Sequence, residues 1–296
     1  MIVGACILPT APLLLDGVSG ARPSAVDRVA DAVDAVVDSL PDADVAVLLA
    51  STPSSKERPE GQHHGLYDVD TADLAGIARP DIVVHGQIHR AAIEAISRVT
   101  QYPLYKREPL PLGLAMLALQ LAGHAPVVPI AVPRGASADA LIGVGAGIAG
   151  ALRRLRGDDD DDEDPPANSP ASDAQDEGSA DIPLDLADTG KIPLPGRDLR
   201  VLVVAAGDLS AGLTEKSPLH AVDGARAWDD EVVRCVDSGR LDGIAGLGPE
   251  EAERVGAVGW APVVVLHGCL ARAKLGMVVR HYSAPRGVGY LVAQGG

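Results

Sequence analysis

The most constraining feature of this sequence is a strand–helix–strand pattern at its beginning. Ile2–Leu8 is a continuous apolar run that ends at Pro9, as expected of a strand buried on both faces. Residues 24–40 repeat valine and alanine with a helical period behind Ser24, and residues 45–50 form a second apolar run. A crossover of this length joins parallel strands, so the pattern predicts a right-handed βαβ unit.

The rest of the chain extends this pattern on both sides of one polar interruption. We predict further strands at residues 82–84, Val127–Val132, 199–205, 263–267, 277–282 and 288–293, helices at 88–99, 112–121, 138–156 and 225–238, and a loop at 54–73. Strands on the two sides of the interruption are equally apolar, so we expect them to be neighbours in one sheet. The predicted fold is a single α/β domain, residues 1–296, with a central mainly parallel or mixed sheet flanked by helices.

The interruption is an acidic segment at about residues 157–195. Residues 158–195 contain 13 acidic residues and one lysine, and they therefore carry −12 of the formal net charge of −16. Such a segment cannot bury enough apolar surface to offset the entropy lost on ordering, so we predict a disordered surface insertion. The remainder of the chain is nearly neutral and has no basic patch, which argues against a nucleic-acid partner.

The same composition argues against a membrane partner and against a cysteine-bound metal. No apolar run approaches the roughly 18 residues of a membrane span, and no charged leader precedes Ile2. Cys6, Cys235 and Cys269 lie far apart, without the spacing of a metal knuckle. We therefore expect a cytoplasmic protein. The absence of Phe and the excess of Arg over Lys are typical of a GC-rich bacterial genome.

Glycines at positions 145, 147 and 150 match the dinucleotide-binding pattern Gly-x-Gly-x-x-Gly. That pattern binds phosphate only where a tight turn follows a strand directly. Here the preceding strand ends about a dozen residues earlier, and the glycines fall inside the predicted helix 138–156. Close packing of this helix against another explains them better than nucleotide binding.

Histidines provide the other local candidates for a site. His85 and His89 would share a face if the segment were helical, but Gly86 weakens a helix there and no carboxylate accompanies them. His267 and His281 lie within apolar predicted strands, where a hydrogen-bonded core or edge histidine is the simpler interpretation. Asp208 directly follows a buried strand, at the carboxyl end where α/β sheets place their sites.

Several segments resemble the class III extradiol dioxygenase (LigB-type) family, in the family's order. Residues 205–214 are similar to its Ser-Gly-Asp-Leu-Ser-His-x-Leu-Thr element, and residues 282–290 to its closing Tyr-x-x-Pro-x-Gly-Val-Gly-Tyr strand pair. Residues 8–14 resemble its Pro-His-Pro-Pro-Leu-Leu, residues 51–54 its Ser-Pro-His, and Asp229 stands at its Phe-Asp. The resemblance implies the α/β fold of that family.

The same resemblance implies a metal site whose ligands this sequence lacks. The family holds iron(II) with two histidines and a carboxylate, and a further histidine handles protons. The ligand histidines fall on Thr10 and Ser54, and the proton-handling histidine falls on Ala211. The last ligand falls within residues 258–262, which contain no ligand type, and Asp208 alone is retained. We therefore expect no metal at the family's positions and no cofactor.

Two functions remain open on these grounds. The first is a relative of the family that has lost iron-dependent catechol ring cleavage and acts as a non-catalytic or ligand-binding protein. The second is a metal-dependent oxidoreductase with a relocated ligand set, drawn from His63, His64, His220 and Asp208. The first allows a small molecule in the old cleft as a partner, and a second copy of the chain, because members of the family often form oligomers.

Overall fold

The structure is a computed structural model that describes residues 1–15, 24–52, 63–74, 77, 79–155 and 199–296. Its strands are β1 (Ile2–Leu8), β2 (Val45–Ser51), β3 (Gly65–Tyr67), β4 (Thr71–Leu74), β5 (Arg79–His85), β6 (Leu104–Tyr105), β7 (Val127–Val132), β8 (Val201–Ala206), β9 (Met277–Ser283) and β10 (Tyr290–Gly295). Its α-helices are α1 (Ser24–Asp38), α2 (Arg90–Thr100), α3 (Leu112–Gln120), α4 (Ala138–Leu155), α5 (Ala225–Asp237), α6 (Leu241–Ala245), α7 (Pro249–Val255) and α8 (Trp260–Leu270).

Eight strands form one mixed sheet in the order β6-β3-β7-β2-β8-β1-β10-β9. The central strands β7, β2, β8 and β1 are parallel to one another. On one side β10 is antiparallel to β1, and β9 is antiparallel to β10. On the other side β3 is antiparallel to β7. Strand β8 pairs with both β1 and β2, so sequence from both sides of residues 156–198 contributes to the same sheet. The predicted α/β fold with a mainly parallel or mixed sheet is confirmed. The acidic segment predicted at 157–195 lies outside the described residues.

Helices cover both faces of this sheet because successive side chains of its central strands point in opposite directions. Residues 45, 47 and 49 of β2 pack into one core with α2, α4, α5, α6, α7 and α8. Residues 46, 48 and 50 pack into a second core with α1 and α3. Every residue of β7 and β8 is buried, which explains why these strands appear in the sequence as continuous apolar runs. No helix in the described part of the chain is long and apolar enough to cross a lipid bilayer.

Within the described residues, strands β4 and β5 pair only with each other, as an antiparallel ribbon that we call the β4–β5 arm. Its β5 contains the strand predicted at residues 82–84. The loop predicted at 54–73 is wrong for its described second half, because residues 65–67 form β3 and β4 begins at Thr71. Strand β3 has three residues, which is too short to produce a hydrophobic period.

The strand predicted at residues 263–267 is wrong, because these residues belong to helix α8. Ten of its eleven residues are buried, the exception being His267. A helix buried on all sides shows no polar face, so its sequence lacks a helical period, and the consecutive valines 263–265 indicate a strand instead. His267 is therefore a partly buried helical residue and does not lie on a strand.

The glycine pattern at 145–150 lies inside α4, as predicted. A Cβ atom at Gly145 would lie 2.1 Å from the carbonyl oxygen of Val265, and one at Gly268 would lie 2.3 Å from that of Ile142. The two glycines thus allow α4 and α8 to approach each other closely. Gly150 faces open space apart from the Arg154 side chain.

Candidate functional site

The candidate site lies at the carboxyl edge of the parallel strands. Thr10 follows β1, Thr52 follows β2, and Asp208 follows β8, which lies between β1 and β2. Asp208 also forms an isolated bridge with Tyr290 at the beginning of β10. The sheet therefore brings together segments from both ends of the chain, at the edge where α/β folds place ligands.

The Asp208 carboxylate is held by Thr10. The Thr10 backbone N–H donates to Asp208 Oδ2 at 2.9 Å, and the Thr10 hydroxyl donates to the same oxygen. Asp208 is only 7% exposed, and this burial raises the pKa of its carboxyl group, although the hydrogen bonds from Thr10 act in the opposite direction. Helix α3 lies close by, since a Cβ atom at Gly113 would be 3.8 Å from Thr10 Oγ1.

A second buried carboxylate fixes the segment that carries Asp208. Asp229 of α5 is fully buried and accepts hydrogen bonds from the Ser210 backbone N–H at 3.0 Å and from the Tyr282 hydroxyl at 2.7 Å. Burial raises the pKa of Asp229, and burial together with this carboxylate raises the pKa of Tyr282. A Cβ atom at Gly289 would lie 2.2 Å from Asp229 Oδ2, so only glycine fits there. The carboxylate thus links Ser210, two residues after Asp208, to Tyr282 of β9.

The other described positions implied by the family resemblance lie near Asp208 in the chain or through backbone hydrogen bonds. The Gly259 backbone N–H, just before α8, donates to the Asp208 carbonyl oxygen at 2.7 Å. The Ser51 hydroxyl at the end of β2 donates to the carbonyl oxygen of Val258 at 2.6 Å. Ala211 donates its N–H to Val255 at 2.8 Å, at the end of α7. Residues 258–262 therefore adjoin Asp208, whereas Ser54 lies outside the described residues.

The histidines of the relocated ligand set lie apart from this carboxylate. His63 and His64 precede β3, whose Gly65 pairs with Ala131 near the end of β7, so they lie at the carboxyl edge of β7. The His63 ring stacks on Tyr105 and the His64 ring meets the edge of Tyr102, each with ring centroids 5.7 Å apart.

His220 is exposed, has a φ of 56°, and lies with Nδ1 3.2 Å from the Glu215 carbonyl oxygen. Across the described residues, no three His, Cys, Asp or Glu side chains are close enough together to hold a metal ion. The structure therefore does not assemble His63, His64, His220 and Asp208 into one ligand set.

His85, His89 and His281 lie on strands or at a helix end, away from Asp208 in the sequence. His85 ends β5, whereas His89 precedes α2 and accepts a hydrogen bond from the Ala92 N–H at 3.2 Å as its N-cap. The two do not share a helical face, and burial lowers the pKa of His89. His281 of β9 lies 3.0 Å from the Ser283 hydroxyl.

The side chains described at the family's ligand positions do not fit iron(II). A ligand needs a lone pair directed at the metal, but the Thr10 hydroxyl is directed at Asp208 Oδ2, which already accepts two hydrogen bonds. Ala211 offers a methyl group, and residues 258–262 offer no side chain of a ligand type.

Tyr290 is a neighbour of Asp208 that was not predicted from the sequence to be part of a site. It belongs to the segment 282–290 that resembles the family, but no role was expected for it. It is 4% exposed, and burial raises the pKa of its hydroxyl, with a further contribution from the Asp208 charge. Its position at the end of the Tyr-x-x-Pro-x-Gly-Val-Gly-Tyr segment is the only signal in the sequence that marks it. The bridge to Asp208 arises from strand pairing, which the sequence alone does not supply.

Comparisons with known proteins agree with this fold. No family model matches the chain, and no curated protein matches it. Among solved structures, the chain is similar to the uncharacterized protein JW3007 from Escherichia coli K12, with a TM-score of 0.57, 11% sequence identity and coverage of 99% of each chain. At this identity the likeness shows a shared α/β fold over the whole described chain.

Proposed function

We propose that this protein is a non-catalytic relative of the class III extradiol dioxygenases whose old cleft binds a small molecule without cleaving it. The observation that carries the proposal is the pair of hydrogen bonds from Thr10 to Asp208. Thr10, at the first ligand position of the family, is hydrogen-bonded to Asp208, the one residue of the family's metal and proton-handling site that this sequence retains. Thr10 thus makes a hydrogen bond within the protein at the position where the family's histidine would bind iron(II).

The environment of Asp208 supports binding in preference to catalysis. Both hydrogen bonds from Thr10 reach Oδ2, and a carboxylate has a second oxygen through which it can accept a hydrogen bond from a ligand. Ala211, at the position of the proton-handling histidine, cannot accept or donate a proton. A cleft of this kind can recognise a hydroxyl group through Asp208, but it lacks the groups that ring opening by oxygen requires.

The proposal is tested with catechol as a probe. Protein is loaded with iron(II) without oxygen, and metal content, catechol binding and oxygen uptake are then measured. We expect substoichiometric iron, saturable binding of catechol that Asp208→Asn weakens, and no oxygen uptake above that of buffer. Ring cleavage by the unaltered protein would overturn the proposal.

Placing histidines at the positions where the family has them tests the family assignment on which the proposal rests. The variant that combines Thr10→His, Ser54→His and Ala211→His should bind iron(II) more tightly than the unaltered protein, because it restores imidazole lone pairs at the expected positions. The control places histidine at Ala35, Ala140 and Ala227, which are exposed on α1, α4 and α5 and lie away from Asp208. Equal iron affinity in the two triple variants would argue against the assignment.

The second candidate is a metal-dependent oxidoreductase that uses His63, His64, His220 and Asp208. The position of His63 and His64 at the same edge of the sheet as Asp208 is the observation that favours it. This candidate requires stoichiometric iron, zinc or manganese in protein purified without chelator, with loss of the metal in His63→Ala, His64→Ala or His220→Ala. His281→Ala is the matched control, because that residue lies on β9 and contacts Ser283. Such a result would replace the first proposal.

A further inference from the structure

A cavity of about 310 Å³ lies between the β4–β5 arm, the end of α3 and the beginning of β7. Strand β7 runs parallel to β2 and β8, so its first residue, Val127, is at the amino edge of the sheet. Asp208 lies beyond the opposite edge. Six residues of strand at about 3.3 Å each separate the two edges, so they lie roughly 20 Å apart. The cavity, which we call the arm pocket, is therefore distinct from the Asp208 cleft.

The arm pocket combines an apolar floor with a polar rim. Its floor includes Leu110 and Leu121, which are both buried, and Ala118 of α3. Its rim includes Asp70, His85 and His124. The lining residues described in the structure include no lysine or arginine. With both imidazoles neutral, Asp70 carries the only formal charge among the described residues that line the pocket.

Hydrogen bonds define which nitrogen of His85 carries a lone pair. The Thr71 hydroxyl donates its single proton to Asp70 Oδ1 at 3.2 Å and also lies 3.4 Å from His85 Nδ1. When that proton lies on Asp70, the hydroxyl accepts a hydrogen bond from His85, and in this tautomer Nδ1 carries the hydrogen. In neutral His85 the other nitrogen, Nε2, is then a hydrogen-bond acceptor.

The same argument applies to His124. Its Nε2 lies 3.2 Å from the Pro41 carbonyl oxygen, which can only accept a hydrogen bond. Nε2 therefore carries the hydrogen, and Nδ1 of neutral His124 is an acceptor. The rim thus offers three acceptors: two imidazole nitrogens and a carboxylate.

We propose that the arm pocket binds a small organic amine in its protonated form. An ammonium group is a cation with N–H donors, so it can pair with the Asp70 carboxylate in charge and in hydrogen bonding, and its remaining N–H groups can be accepted by a neighbouring imidazole or by solvent. The hydrocarbon part of the ligand lies on the floor formed by Leu110, Ala118 and Leu121. A bare metal ion fits less well, because among the described residues no three such side chains are grouped closely enough to coordinate one; an ammonium group needs only one carboxylate as a partner and can leave its other N–H groups to solvent.

The experiment compares three probes of similar shape by titration calorimetry on the full-length protein at neutral pH: phenethylamine, 2-phenylethanol and 3-phenylpropanoate. The amine is expected to bind with a dissociation constant at least about tenfold lower than that of the alcohol, because a hydrogen bond to a charged group is stronger than a neutral one. The carboxylate is expected not to bind. Equal binding of amine and alcohol, preference for the carboxylate, or no binding of any probe would overturn the proposal.

Variants locate the binding. Asp70→Asn should weaken phenethylamine binding at least about tenfold by removing the charge, and Ala118→Leu should abolish it by filling the floor. Asp81→Asn is the matched control, because Asp81 lies on the same arm but pairs with Arg79 at 2.7 Å and does not line the pocket. Each variant is also melted to verify that it folds. An equal loss in Asp81→Asn, or full binding in both folded pocket variants, would contradict the assignment.

Discussion

The buried carboxylate of Asp208 links the site to the pH dependence of stability. Its pKa is raised by burial, so the native state keeps this proton to a higher pH than the unfolded chain does. Between the two pKa values the native state binds more protons, and its contribution to stability therefore falls as pH rises through that interval and stays low above it. We expect Asp208→Asn to be more stable than the unaltered protein at pH 7.5, with the difference shrinking towards pH 4.

Urea unfolding at pH 4, 5.5 and 7.5 measures this difference. Asp81→Asn is the control, because Arg79 lowers the pKa of that exposed carboxyl and its removal should not stabilise the protein at neutral pH. If Asp208→Asn is instead less stable at pH 7.5, the hydrogen bonds from Thr10 contribute more to stability than burial of the charge costs.

The hydroxyl of Tyr282 supports the site through Asp229. It donates to a fully buried carboxylate at 2.7 Å, so Tyr282→Phe removes a partner from a buried charge. We expect a loss of about 1–3 kcal/mol in the free energy of unfolding. Tyr102→Phe is the matched control, since its half-buried hydroxyl donates no hydrogen bond within the described part of the chain, and it should change stability little. A similar loss in both variants would attribute the effect to packing.

At the scale of elements, the close contact between α4 and α8 leads us to expect that Gly145→Ala destabilises the protein. Gly145→Ala would place a methyl group 2.1 Å from the Val265 carbonyl oxygen, so the two helices must separate. We expect a cost of about 1–3 kcal/mol or more, measured by thermal or urea unfolding. Gly150→Ala on the same helix meets only the Arg154 side chain at 3.7 Å and should stabilise by about 0.5–1 kcal/mol through helix propensity. Equal effects would contradict the packing explanation.

The elements also show where sequence patterns succeed and where they fail. Strand β7 was predicted with both its limits, and α3 and α4 to within one residue at each end, because apolar runs and helical periods end at clear turn signals. Helix α8 was mistaken for a strand because burial on every side removes the period. Strands β3 and β6 have three and two residues, and their pairing partners, not their sequences, determine them.

The site was predicted in part for a similar reason. The rule that ligands lie at the carboxyl ends of parallel strands identified Asp208, and motif order placed Thr10 in the same region. The hydrogen bond between them joins residues 198 positions apart and depends on β8 lying beside β1. Sequence spacing carries no information on that adjacency, so the pairing of Thr10 with Asp208 appears only in the folded chain.

At the scale of the whole molecule, the acidic segment should be separable from the fold. Strand β8 pairs with β1 through six residues and with β2 through five, and both of these strands lie within residues 1–51. Helix α4 leads from the carboxyl end of β7 back towards the amino edge, where β8 begins. Deleting residues 158–194 leaves six residues between Leu155 and Leu199, which can span roughly 20 Å.

We expect this deletion to leave unfolding cooperative, with the same denaturant dependence and a free energy of unfolding changed by no more than about 1 kcal/mol, because loop-closure entropy varies slowly with loop length. Fluorescence of Trp228 and Trp260, which are both buried, provides the measurement. Replacing the acidic residues of 158–194 with Ser and Gln at full length separates charge from length. A broad transition in the deletion alone would mean that the segment contributes packing to the fold; a broad transition in both would assign that contribution to its charge.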